Sequence, residues 1–273
     1  MAATAERQLF DLFADARREL YDALFDDLEQ FVRATYDGNA VRFAAAVEEY
    51  LPVIIAEYGE TAASVALDYF SLSRDLARIP TRHTPSLVAP VVAGLGPTIG
   101  WATQLLQAAE AEDVDPLAPA PSGESPIETT IKRLQGAAQK RVKQADAETF
   151  VANVAADPAK PAYARVPNAG ACSLCRLLAS GGFRFYLGIP DDVHDNCFCE
   201  FVASWDKRNP RLEGFDPDAL YDEYREAMKH AGPSAKTLEK RALRDPSKIT
   251  RNKDHLNDLM AGYYRLERER AGE

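Results

Sequence analysis

The apolar residues Leu9, Phe13, Leu20, Leu24, Leu28 and Phe31 recur at steps of three or four, or multiples of them. That spacing lays one apolar stripe along a helix. Asp37-Gly38-Asn39 is a break, after which Phe43, Val47, Leu51, Ile54 and Tyr58 resume the pattern, with Gly59 placed to close the second helix. A third helix carries Val65, Leu72 and Leu76 and stops ahead of the proline-punctuated stretch Pro80 to Pro90. The uncharged run LVAPVVAGLGPTIGWATQLLQAA is as long as a membrane span. Pro90, Gly94, Gly96, Pro97 and Gly100 interrupt it, however, and neither basic clusters nor an aromatic belt flank it. It reads as a buried loop followed by a core helix, and no membrane partner is expected.

Residues 111–126, AEDVDPLAPAPSGESP, are acidic and rich in Pro, Gly and Ser, the composition of a linker. The following stretch, IETTIKRLQGAAQKRVKQADAETFVANVAAD, reads as one long helix with Lys132, Arg133, Lys140, Arg141 and Lys143 grouped on it. Pro158 to Trp205 is loop-rich. FDPDALYDEYREAMKH is a further helix, with Asp216 as its cap and Pro217 in its first turn. The tail from Ser234 to Glu273 is helical in pattern and charged nearly all round. The expected fold class is mainly α with a small α+β or loop-rich module. Four parts follow from this: an N-terminal helical domain (1–110), the linker (111–126), a module led by the long linking helix (127–205), and a helical, partly basic tail (206–273).

Composition changes this picture in one respect. The formal net charge is −10, but residues 1–128 hold 21 acidic against 8 basic side chains, and residues 129–273 hold 21 against 24. An acidic body with a basic tail could face an acidic partner or nucleic acid. The N-terminus has charges throughout, where a secretory signal needs an uninterrupted apolar core. Four cysteines in 273 residues are too sparse for a secreted disulfide scaffold.

All four of those cysteines fall between Cys172 and Cys199, with His194 among them. The spacing is Cys172-x2-Cys175, an 18-residue insert, then His194-x2-Cys197-x-Cys199. Two such knuckles bring paired ligands to a tetrahedral zinc ion. This gives five candidates for four positions: Cys172, Cys175 and Cys197 rank first, and His194 and Cys199 compete for the fourth. A redox-sensitive or disulfide-linked pair, thiols that merely pack and a catalytic Cys–His dyad are the other readings. The dyad leaves the paired spacing unexplained. The pattern favours a closed structural zinc site, whose ligation would supply folding free energy to a segment with little core of its own.

The residues YARVPNAGACSLCRLLASGG (Tyr163 to Gly182), followed by VHDNCFC (Val193 to Cys199), resemble the phage Mu F-like minor head proteins of tailed phages, especially those of actinobacterial siphophages. The shared pattern is an Ala-Arg-Val-Pro lead-in, a C-x2-C, a Leu-Ala-Ser-x-Gly turn and a closing H-x2-C-x-C. Weaker agreement covers EYGETAASVALDYFSLSRDL, GWATQLL and QKRVKQADAETFVANVAADP. Gly181 stands where an arginine is common, and residues beyond 205 match only loosely. Some relatives carry a fused maturation protease or toxin domain, and this chain looks like the bare form. The resemblance implies a minor virion component near the portal vertex and capsid interior. Its implied partners are the portal protein, the major capsid or scaffold protein and, non-specifically, phage DNA.

The chain has no GxxxxGK[ST], GxSxG or HExxH motif, and His83, His230 and His255 lie far apart. The expectation is a structural, non-enzymatic protein. The alternative is a nuclease-like, DNA-acting enzyme built on the zinc module, with Asp191, Asp192, Asp195 and Asn196 beside His194. A further expectation is salt-sensitive DNA binding by the helix from Ile131 to Val142 together with the basic tail.

Overall fold

The computed structural model describes residues 3–119, 123–183, 196–231 and 253–271, with residues 253–260 and 271 described by their backbone alone. Helix α1 (Ala5–Thr35) is capped by Thr4, whose side chain accepts from the Arg7 amide. Helix α2 (Ala40–Leu76) is capped by Asn39 in the same way, through Arg42. These caps satisfy amides that the first turn of a helix leaves without partners. The break at Asp37-Gly38-Asn39 is as expected, with Gly38 at φ 90°, a conformation that costs glycine little.

Gly59 does not end a helix. The second and third expected helices are one, running from Ala40 to Leu76 through both Pro52 and Gly59. The glycine instead serves a close approach: a Cβ there would lie 2.6 Å from the Cβ of Pro90. The stripe beyond it also differs from expectation, since Leu72 and Leu76 are exposed while Ala62, Ala63, Ala66, Tyr69 and Phe70 are buried. Alanines let the neighbouring helix come near enough for backbone-scale packing, which a large-residue pattern does not register.

Helix α3 (Gly96–Ala111) starts with Pro97 in its first turn. The loop before it, expected to be buried, is instead exposed or half-buried from Pro80 to Gly94, with Leu87 and Val91 exposed, because it runs over the outside of the bundle. That loop is a strap laid on α4 (Pro126–Ala156). Side chains of α4 stand in for a neighbouring strand: Asn153 bonds both the amide and the carbonyl of Ser86 (2.9 and 2.8 Å), and Thr149 Oγ1 accepts from the Val88 amide at 3.0 Å. The long helix links the two halves of the chain from inside the bundle. Ile131, Leu134, Ala138 and Val142 share a core with Leu24 and Leu28 of α1, Phe43, Val47 and Leu51 of α2, and Ile99 and Leu106 of α3. Of the five basic residues grouped on it, Lys143 faces this interior and is fully buried.

The two strands pack on the far end of α4, and the remaining helices pack on the strands and on one another. Strands β1 (Ala162–Val166) and β2 (Glu200–Ser204) pair antiparallel, from Ala162 opposite Ser204 to Val166 opposite Glu200. Between them lies the short helix α5 (Ser173–Ala179). Tyr69, Phe70, Phe150, Tyr163 and Phe201 form a second core with Cys175, Cys197 and Cys199. Helix α6 (Pro217–His230) is capped by Asp216, as expected, with Pro217 at its start. Helix α7 (Lys253–Ala271) crosses α6 at Gly262, where a Cβ would meet the Ala227 carbonyl oxygen at 2.4 Å. Tyr224, Ala227, Met228, Tyr263 and Leu266 close a small third core over Leu177 of α5. Among the described residues, no helix is long and apolar enough to cross a membrane.

Candidate metal centre

Strand β1 delivers the chain to the site. After Val166 it turns through Pro167 to Ala171, and Cys172 becomes the residue that precedes the first turn of α5, with Cys175 inside that turn. The second knuckle opens at Asn196, held at φ 60°, a left-handed conformation that asparagine tolerates better than most residues. Cys197 and Cys199 follow, and β2 starts at Glu200. Pairing of β1 with β2 therefore brings the two knuckles face to face.

The result is three buried sulfurs, those of Cys175, Cys197 and Cys199, all within 4.8 Å of one another. The Cys175 and Cys197 sulfurs are 3.5 Å apart. All four cysteines are free thiols. Cys172, only half-buried, is at the edge of the group, with its thiol hydrogen-bonded to Cys175. Cys199, ranked behind Cys172 from spacing alone, is thus in the inner group. His194, with Asp191, Asp192 and Asp195 beside it, falls outside the described residues.

Donors converge on these sulfurs. The Cys199 amide points at Cys197 Sγ, and the Asn168 amide at Cys199 Sγ. Arg165 Nη1 lies 3.6 Å from Cys175 Sγ and 3.9 Å from Cys197 Sγ. Donors to sulfur favour its charged form. Hydrogen bonds from Cys175 and Cys199, then the Cys199 amide and the charge of Arg165, outweigh burial and push the Cys197 thiol strongly down. Hydrogen bonding to Cys172, Cys197 and Cys199, with burial, pushes Cys175 up. At Cys199 the Cys175 hydrogen bond acts downward, but the Cys197 contact and burial prevail and the thiol is pushed up to about 12.

Three such thiols could hold a metal ion. Sulfurs around a tetrahedral zinc ion at ~2.3 Å stand about 3.8 Å apart, and the spacings here need little adjustment to reach that. The donor set is soft, which suits zinc and other thiophilic cations better than magnesium or calcium.

Behind the knuckle lies a buried ionic group that sequence reasoning missed. Arg17 Nε bonds Asp146 at 2.8 Å and approaches Glu200 at 3.3 Å, while Lys143 Nζ bonds the same two carboxylates at 2.6 and 2.9 Å. Two cations and two anions from α1, α4 and β2 thus neutralise one another one residue beyond Cys199. Burial opposes charge on Lys143, but Asp146 and Glu200 hold its pKa up; burial likewise opposes charge on Asp146, but Arg17 and Lys143 hold its pKa down. One turn before Lys143, Gln139 donates to the Cys197 carbonyl. The available signal was Arg17 standing on an otherwise apolar stripe, and Lys143 and Asp146 one turn apart on the core helix.

Residues 4–227 match the family model described as VG15 protein. No curated protein and no solved structure matches the chain.

Proposed function

Because this chain belongs to the VG15 protein family, a family of phage proteins, we propose that it is a structural minor head protein of a tailed phage. In this reading it acts without catalysis, near the portal vertex, with portal protein and capsid or scaffold protein as its partners. The buried thiol trio is a zinc clasp that fastens the two-stranded module onto the helical bundle. The observation that carries the reading is the burial of Cys175, Cys197 and Cys199 beneath the Ala-Arg-Val-Pro strand, within the segment that most resembles the Mu F-like proteins. Three sulfurs buried together in the second core suit a fastener, because a catalytic metal keeps an open position for substrate.

Two measurements test this. Purified under reducing conditions, the protein should hold zinc near one equivalent by elemental analysis. Tagged chain recovered from infected cells should bring down portal protein. Recovery of neither portal nor capsid components would overturn the assignment to the head, whatever the metal content.

A further inference from the structure

Strand β1 is buried along its whole length, yet its fourth residue is an arginine that is only 1% exposed. Its guanidinium carbon lies 5.1 Å from the ring centre of Phe201, its partner in the β1–β2 register. One terminal nitrogen, Nη1, reaches two sulfurs of the trio at once. We propose that Arg165 is the resident counter-cation of the metal centre: it hydrogen-bonds the Cys175 and Cys197 sulfurs and offsets the charge of the filled site. The inference rests on the metal reading above and concerns how the site holds its ion.

The charge balance is the physical reason. A divalent cation on three thiolates carries one net negative charge, and burying an uncompensated charge is costly. Arg165 brings the group to neutrality within the same core. If Cys172 supplies a fourth sulfur, its additional charge lies at the half-exposed edge, where water can solvate it. The choice of arginine follows as well. Its flat guanidinium stacks on an aromatic face while its N–H groups point along the edge, and it is more weakly hydrated than an ammonium group. Here the Phe201 ring flanks the guanidinium at 5.1 Å while Nη1 faces the sulfurs. A residue that orients and neutralises metal ligands typically accounts for about 10- to 100-fold in metal affinity.

The test uses the full chain in three forms: unmodified, Arg165→Met and Arg165→Lys. Zinc content is measured under reducing conditions, and affinity by competition with a chromophoric chelator. Cobalt(II) substitution reports the sulfur ligands by their charge-transfer absorption, and circular dichroism reports the fold. Arg165→Met should bind zinc about 10- to 100-fold more weakly with the thiolate–cobalt bands retained, and Arg165→Lys should fall between. Unchanged zinc affinity in a folded Arg165→Met protein overturns the proposal and leaves the arginine as packing for Phe201. If Arg165→Met does not fold, a fourth form, Arg165→Gln, which keeps N–H donors and loses the charge, decides: weaker binding supports the proposal, and wild-type affinity overturns it. An unmodified chain that binds no zinc overturns the metal reading itself, and this inference with it. That result is distinguishable from a bound metal indifferent to residue 165.

Discussion

Gln139, on the core helix of the bundle, donates its side-chain amide to the backbone carbonyl of Cys197. The contact joins the helical core to the middle of the second cysteine knuckle, between residues 58 apart in sequence. Both groups are buried, so removing the donor leaves the carbonyl without it in a place water does not reach. Gln139→Ala should cost about 1–3 kcal/mol of stability and shorten the time a chelator needs to strip the site. Chemical denaturation and the kinetics of zinc release check the two halves of this expectation.

The ion group of Arg17, Lys143, Asp146 and Glu200 is neutral only as a set. Asp146→Ala would leave two buried cations facing one carboxylate, and breaking a buried pair from one side costs about 3–5 kcal/mol. A small loss, under about 1 kcal/mol by urea denaturation, would mean that water enters this site and screens it as it does a surface pair.

Acid should act through the carboxylates. Burial alone would raise the Asp157 pKa, but the Arg74 hydrogen bond at 2.9 Å, the Ala159 amide, the Trp205 indole and the Arg74 charge hold it below the ordinary range. Asp146 is lowered as well. A folded-state pKa below the unfolded value, about 3.9 for aspartate, contributes stability above that value and loses it as pH falls through the folded pKa. Thermal midpoints should therefore hold steady through mildly acidic buffer and drop below about pH 4. Asp157→Asn should lower the midpoint at neutral pH and soften the acid drop. An acid drop as steep as in the unmodified chain would remove Asp157 from this account.

Gly59 and Pro90 form a seat for the strap between α2 and α4. Gly59→Ala gains helix propensity of about 1 kcal/mol but places its Cβ 2.6 Å from the Pro90 Cβ. Overpacking of that kind costs about 1–3 kcal/mol, so the single substitution should destabilise. Paired with Pro90→Gly, which removes the opposing carbons, the same alanine should become neutral or favourable relative to Pro90→Gly alone. A double-mutant cycle by urea denaturation reads the coupling directly, and additive effects would show that the strap moves aside without strain.

The sequence by itself determined the helices that have strong periodicity and caps. The stripe of α1, the start of α6, the break at Asp37-Gly38-Asn39 and the span of α4 all follow from local chemistry, in which side chains satisfy the amides of a first turn or apolar residues recur every three or four positions. It also gathered the candidate metal ligands within residues 172–199, because paired cysteine spacing is a local signal. Only the tertiary structure decided that Gly59 continues a helix, since its role depends on Pro90, 31 residues away. Tertiary structure likewise placed Cys199 in the inner trio and Cys172 at its edge, through the register of β1 with β2. The sequence pattern left Arg17, Lys143 and Arg165 looking like ordinary charged residues. Their burial becomes intelligible only once carboxylates and sulfurs from distant segments surround them, because the cost of burying a charge is set by what faces it and not by its neighbours in the chain.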